Sequence, residues 1–135
     1  MKRRILLGAV VALGLAPVAG FAGDLDYKPG LVDDKLAVGE TVFLDFAADW
    51  CTTCKSQERT IAALRADNAA YDAITFVRVD WDEFSRSDLV KELKIPRRST
   101  LVVLKGDEEL GRIVAGTSKS AIMELMDTAL AAASS

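Results

Sequence analysis

The sequence predicts a single α/β domain, and two observations lead to this prediction. Strand-like apolar segments alternate with helix-like segments, and two further strand-like segments flank Gly106 and Asp107 near the C-terminal end. Strands that are joined through helices run parallel with right-handed crossovers, whereas a hairpin adds an antiparallel edge. With 135 residues, 50% of them apolar, the chain can bury one core.

The elements are predicted in the order strand, helix, strand, helix, strand, strand, helix, after a lead-in with one short helix. The first strand is apolar on both faces, as a central strand is. In the helix that follows, Ile61 and Leu64 face inward and Gln57 faces outward, and Pro96 stops the next helix. Ser118 or Ser120 caps the last one. The predicted bounds are 31–38 for the short helix, then 41–47, 52–68, 74–80, 87–93, 100–105, 110–115 and 118–131.

The N-terminal 22 residues have the layout of a secretory signal. Three basic residues at 2–4 precede an apolar run at 5–19, and small residues follow. A run of about 15 residues is short for a membrane span, which needs about 20. We therefore expect residues 1–22 to be removed as a signal peptide, leaving a domain of residues 23–135; an uncleaved membrane anchor is the alternative.

Charge and composition exclude several classes of function. Without the three basic residues of the signal, 14 of the 17 basic side chains remain against 20 acidic ones, for a net charge of about −6. Such a protein is a poor candidate for binding nucleic acid or anionic membranes. The chain has no histidine, which removes Ser-His-Asp, Cys-His and His-metal chemistry.

Cys51 and Cys54 are the candidate reactive groups, and they lie where a strong strand ends and a helix begins. The positive end of the helix dipole favours the thiolate of Cys51, which predicts Cys51 as the nucleophile and Cys54 as the thiol that resolves the mixed disulfide. The alternatives are a static disulfide, which would close only a small loop, and a copper ion held by the two sulfurs. We expect no cofactor and no zinc, because two thiolates make half of a zinc site.

Six further residues, near the cysteines or before the next strand, are candidates. Asp45 interrupts an apolar strand, so its pKa is expected to rise and the carboxyl could accept a proton from the resolving thiol; a wet aspartate at the sheet rim is the alternative. Trp50 can dock a partner or simply pack. Ile95-Pro96 could be a cis peptide that holds the chain near the sulfurs, although most such bonds are trans. Arg97 with its neighbour Arg98 either steers an acidic partner or forms a solvated loop.

The segment Asp45 to Lys55 (DFAADWCTTCK) resembles the active-site segment of the thioredoxin superfamily. Within it, the chain looks most like the C-terminal periplasmic domain of the thiol:disulfide interchange protein DsbD, which shares the run Ala-Asp-Trp-Cys-x-x-Cys-Lys. The resemblance extends from about residue 31 to 130. It matches Asp45 with the family's buried acid, Ile95-Pro96 with its cis-proline, Gly116 with the glycine after the last strand and Ser118 with the final helix cap.

The resemblance implies a thioredoxin fold, with a central mixed β-sheet flanked by helices, and disulfide exchange with protein partners bound at the cis-proline loop. Two departures stand out: Arg97, Arg98 and Ser99 follow Pro96 before the strand resumes, and Phe76 stands where thioredoxins often carry a lysine near the buried acid.

We therefore expect a monomeric periplasmic thiol:disulfide oxidoreductase, a reductase or electron relay that acts on protein thiols and disulfides. A membrane electron donor would fit the likeness to DsbD. The rival is a non-catalytic adaptor that uses the same fold as a binding surface and keeps a structural disulfide.

Overall fold

The computed structural model describes residues 24–135, which form a five-stranded mixed sheet with helices on both faces. The strands are β1 (Leu25–Asp26), β2 (Thr41–Ala47), β3 (Thr75–Asp80), β4 (Thr100–Lys105) and β5 (Glu108–Val114). The helices are α1 (Leu31–Ala37), α2 (Thr52–Asp67), α3 (Trp81–Phe84), α4 (Asp88–Leu93) and α5 (Lys119–Ala133), with a 3₁₀ helix at Ala69–Ala73.

The strands lie in the order β1-β3-β2-β4-β5. β1, β3 and β2 run parallel to one another, while β4 is antiparallel to both β2 and β5. All seven residues of β2 are buried, because strands flank it on both sides and helices cover both faces. The α/β class, the parallel pair of β2 and β3 and the antiparallel hairpin of β4 and β5 are as predicted from the sequence. The prediction that every strand joined through a helix runs parallel is wrong for β4, which follows α4 but is antiparallel to β2.

Alternation along β2 and β4 divides the core into two layers. Phe43, Leu101 and Val103 pack with α2 and α5 on one face of the sheet. Val42 and Leu44 belong to the other layer, where α1 and α4 lie. The face that carries Phe43 is also the face of Asp45, two residues further along the strand. The sheet thus directs the carboxyl of Asp45 toward α2.

Three local features were not predicted: the two-residue strand β1, the 3₁₀ helix and the single turn α3. Each is too short to show a period in the sequence. The predicted cap of the last helix is confirmed, because Ser118 accepts a hydrogen bond from Ala121 N (3.2 Å) at the start of α5. Ser87, which was predicted to be the first residue of a helix, is the N-cap of α4.

In the described part of the chain, no helix has both the length and the apolar character needed to cross a bilayer. The predicted signal at residues 1–22 lies outside the described residues.

Candidate active site

Cys51 is the N-cap of α2, and its side chain forms a disulfide with Cys54 one turn into the helix, with 5.3 Å between the Cα atoms. Cys54 N donates a hydrogen bond to Cys51 Sγ (3.2 Å). This amide is among the unpaired donors of the first helical turn, which stabilise negative charge. Cys51 is 3% exposed and Cys54 is fully buried. The local structure therefore favours a thiolate on Cys51, the sulfur nearer to solvent.

Ser99 is the residue that the loop before β4 places against the sulfurs. Its hydroxyl lies 3.1 Å from Cys51 Sγ and 3.1 Å from Cys54 Sγ, and its side chain is fully buried. The sulfurs of a disulfide carry no hydrogen, so the Ser99 hydroxyl is the donor in this state.

The prediction that Ile95 and Pro96 lie at the sulfurs is wrong. No peptide bond in residues 24–135 is cis, so the bond between Ile95 and Pro96 is trans. Pro96 is exposed, and Ile95 packs in the core layer of α1 and α4. Three residues lie between Pro96 and the start of β4, and Ser99, the last of them, is the one that reaches the cysteines. Ser99 N also donates to Phe46 O (2.7 Å), a bond that proline cannot make.

Gln57 of α2 holds the loop that carries Ser99 by a hydrogen bond. The prediction from the sequence that this side chain faces outward is wrong. The side chain is fully buried, and its Nε2 donates to Ser99 O (3.0 Å) and to Gly116 O (2.9 Å). Gln57 thereby ties α2 to the residues before β4 and after β5. The sequence of α2 could not predict this burial, because the carbonyls that accept from Gln57 belong to distant parts of the chain.

Asp45 is 6% exposed, as its apolar neighbours predict. Burial is the main cause that raises its pKa well above the ordinary value, followed by a hydrogen bond to Glu58 and the charge of that residue. Arg78 lowers the pKa, but by less. Glu58 follows Cys54 by four residues on α2, so the two side chains share one face of the helix. Asp45 and Glu58 therefore form an acid pair between β2 and α2, and Glu58 lies on the face of α2 that carries Cys54.

Arg78 supplies the basic group of this cluster. It stands opposite Asp45 in the parallel ladder, its Nε donates to Glu58 Oε2 (3.1 Å), and its Nη2 donates to Asp49 Oδ1 (3.1 Å). Phe76, the residue expected at the family's lysine position, lies opposite Phe43 instead, two positions before Arg78. Only the register of β2 and β3 fixes which side chain stands opposite Asp45.

A cavity of about 60 Å³ adjoins the acid pair and is lined by Asp45, Glu58, Arg65, Phe76 and neighbouring side chains. This volume exceeds the space that one water molecule needs, and the lining is polar enough to hold water. Asp45 Oδ1 has no hydrogen-bond partner among the described residues. The site thus offers a route for protons between the buried carboxyl and solvent.

Trp50 lies next to Cys51 and is 57% exposed, so it does not simply pack in the core. Its Nε1 donates to both carboxylate oxygens of Asp82 (3.0 and 3.1 Å), and the Arg98 guanidinium carbon lies 4.6 Å from the centre of the ring. The indole is therefore held in place while part of it faces solvent. Arg98 contacts this ring, so it is not merely part of a solvated loop.

Residues 24–135 contain no group of three or more cysteine, aspartate or glutamate side chains placed to hold a metal ion.

Comparison with known proteins gives consistent matches. The family model described as thioredoxin matches residues 32–128. Rice Thioredoxin H5 (Oryza sativa subsp. japonica) is 36% identical over 78 residues, which are 58% of this chain and 54% of that protein. This chain therefore spans about half the length of that relative. The crystal structure of Trxlp from Edwardsiella tarda EIB202 superposes with a TM-score of 0.65 at 28% identity, covering 76% of this chain and 98% of that one.

The specific likeness to DsbD has weaker support. The thiol:disulfide interchange protein DsbD 2 of Pseudomonas aeruginosa is 28% identical over 97 residues, covering 66% of this chain and 16% of that protein. The superfamily assignment is confirmed by the family model, which spans most of the described residues. The chain belongs to the thioredoxin family, and its residues 32–128 form a thioredoxin domain that carries the Cys51–Cys54 disulfide.

Proposed function

We propose that this protein is an exported thiol:disulfide reductase or electron relay that acts as a monomer on the disulfides of other proteins. The observation that carries the proposal is the dithiol at the start of α2 with the acid pair of Asp45 and Glu58 behind it. The amides at the start of α2 can stabilise a thiolate on Cys51. Glu58, on the same face of α2 as Cys54, belongs to the acid pair that can accept the proton of the Cys54 thiol.

The reaction begins from the reduced pair. The Cys51 thiolate attacks one sulfur of the partner's disulfide; a bond forms between the two proteins, and the partner's other sulfur leaves as a thiolate. Cys54 then gives its proton to the acid pair and attacks Cys51 Sγ. The mixed disulfide breaks, the partner's second sulfur leaves, and the Cys51–Cys54 disulfide of this structure forms. Two electrons pass to the partner, whose two thiolates take up protons.

The acid pair also supports the direction of electron flow. An oxidant of secreted proteins owes its potential to a strongly stabilised thiolate in the reduced form. Negative charge on Asp45 or Glu58 opposes a thiolate on the neighbouring cysteines, and the Thr-Thr dipeptide between them adds no positive charge. The Cys51–Cys54 dithiol is therefore expected to give up its electrons readily and to act as a reductant.

Export is supported by the sequence of residues 1–22, whose basic and apolar segments are typical of a secretory signal. In the oxidising periplasm a reductant needs an electron supply across the membrane. The match to a thiol:disulfide interchange protein supports a membrane donor for this chain.

The test is to express the chain with Cys54→Ser in a Gram-negative host and to collect the mixed disulfides that form on Cys51. Without the resolving thiol, the complex with a partner persists. The matched control is Cys51→Ser, which leaves the fully buried Cys54 and should trap nothing. Trapped proteins that are released by dithiothreitol support the proposal.

A second measurement separates the enzyme from an adaptor with a structural disulfide. The folded wild-type protein is equilibrated with dithiothreitol or glutathione buffers, and the reduced fraction is read by alkylation. A potential near that of thioredoxin, about −270 mV, supports a reductase, whereas about −120 mV contradicts that direction. A pair that is reduced only when the protein unfolds would contradict catalysis altogether.

A further inference from the structure

We propose that Ser99 is a third catalytic group of the dithiol site, whose hydroxyl donates a hydrogen bond to the thiolate formed on either cysteine. The proposal rests on the disulfide exchange described above and concerns the group that stabilises its charged intermediates. The carrying observation is the equal distance of 3.1 Å from Ser99 Oγ to the two sulfurs.

The position of this hydroxyl is fixed by the backbone. Ser99 N donates to Phe46 O (2.7 Å) on β2, and Ser99 O accepts from Gln57 Nε2 (3.0 Å) on α2 and from Ala115 N (2.8 Å) after β5. These contacts hold Ser99 at φ +66°, a left-handed conformation that is unfavourable for a residue other than glycine. A strained backbone that is held from three sides is common where a side chain must be placed for function.

The chemistry of exchange requires such a donor at both sulfurs. When Cys51 attacks a partner, the negative charge starts on its sulfur; when a donor protein reduces the disulfide at Cys51, Cys54 leaves as the thiolate. A serine hydroxyl has one hydrogen and can rotate between two acceptors. Because it is equally close to both, one hydroxyl can serve the attacking thiolate in one direction and the leaving thiolate in the other.

A hydrogen bond to a charged group is stronger than one to a neutral group. The Ser99 hydroxyl therefore stabilises a thiolate more than it stabilises the disulfide, and it should lower the pKa of the reactive thiol. Removing the hydroxyl should make the thiolate form less populated and the reduced protein easier to oxidise.

The experiment compares Ser99→Ala and Ser99→Gly with the wild-type chain. Both variants lack the hydroxyl, but glycine accepts the left-handed backbone that alanine does not. In reduced protein, the thiolate is titrated by its absorbance at 240 nm. At a pH above that titration, the dithiol is equilibrated with dithiothreitol. We expect both variants to raise the pKa of the thiol by about one pH unit and to shift the equilibrium toward the disulfide about tenfold, which is about 30 mV.

The control is Thr100→Val. Thr100 is the first residue of β4, and its hydroxyl donates to Arg97 O (2.7 Å) in the loop that carries Ser99. The loss of this hydroxyl loosens the loop while the Ser99 hydroxyl stays. Unchanged titration and equilibrium in Thr100→Val support the proposal. The proposal fails if Ser99→Gly titrates like wild type, or if Thr100→Val shifts as far as Ser99→Ala. Either failure would leave the proposed function intact, since that function is tested on the reduction of the wild-type pair.

Discussion

Asp45 and Arg78 stand opposite each other on β2 and β3, yet the guanidinium of Arg78 donates its hydrogen bonds to Glu58 and Asp49. Arg78 forms its ion pair with Glu58 (3.1 Å), and within residues 24–135 the Oδ1 atom of the buried Asp45 carboxyl has no hydrogen-bond partner. Burial then dominates, and the pKa of Asp45 rises even though Arg78 pulls it down.

The hydrogen bond to Glu58 and the charge of that residue add to the effect of burial and raise the pKa of Asp45 further. A carboxyl whose pKa is raised binds a proton more readily, so Asp45 is the group suited to take the proton of the resolving thiol.

The first prediction concerns Asp45→Asn, which keeps the shape and removes the titration. A buried acid whose pKa is raised favours the folded state below about pH 4, where both states are protonated, and this contribution is lost as the pH rises through the folded value. The variant should therefore be more stable than wild type at pH 8, by about 1–3 kcal/mol, with a much smaller difference near pH 4. Thermal unfolding of both proteins at pH 8 and at pH 4 measures this difference in stability.

The same variant should resolve mixed disulfides about 10–100-fold more slowly at pH 7, because a general base typically contributes ~10²-fold or more. Stopped-flow reaction of the reduced protein with a small disulfide reports the rate. Asp107→Asn, at the exposed hairpin turn, is the control and should leave both properties unchanged. Equal rates for Asp45→Asn and wild type would remove Asp45 from the proton path.

The second prediction concerns Arg78. Its positive charge lowers the pKa of Asp45, so Arg78→Met should raise that pKa further and move the midpoint of the pH–rate profile to higher pH. Arg78→Lys keeps the charge and should move the midpoint less. A profile that is the same in all three proteins would contradict the coupling of this ion pair to the acid.

The order of the long elements could be predicted from the sequence because their patterns are strong. The unbroken apolar run of β2 predicts a strand covered on both faces, and Asp45 within that run predicts a buried acid. The position of Glu58 could also have been predicted, because it follows Cys54 by four residues and therefore lies on the same face of the helix.

Ser99, Gln57 and Arg78 could not be predicted in the same way. The role of Arg78 depends on the register of two strands, and that of Ser99 depends on the path of the loop after Pro96. Gln57 is buried because carbonyls from two separate loops converge on it. Each of these relationships joins distant parts of the chain, and no local pattern records them.

The third prediction concerns partner docking at Trp50. An exposed aromatic ring held by Asp82 and Arg98 beside the nucleophile is expected to contact the partner, so Trp50→Ala should raise the KM for a protein disulfide such as insulin about tenfold. The reduction potential should not change, because the ring makes no hydrogen bond to a sulfur. Val38→Ala, which trims a side chain that is 72% exposed on another part of the surface, should change neither quantity. A lower kcat at unchanged KM would contradict a docking role.

The fourth prediction concerns Gln57→Leu. Leucine has a similar size but no donor, so the carbonyl of Gly116 loses its partner and that of Ser99 keeps only Ala115 N. The loss of two buried hydrogen bonds should lower the free energy of unfolding by about 1–3 kcal/mol, which corresponds to a fall in Tm of several degrees. Arg59→Leu on the exposed side of the same helix should leave the Tm nearly unchanged.

Because Gln57 also positions the loop that carries the Ser99 hydroxyl, Gln57→Leu should raise the pKa of the reactive thiol as Ser99→Gly does. A fall in Tm with no change in that titration would show that Gln57 supports the fold and leaves the position of Ser99 to its other two backbone contacts.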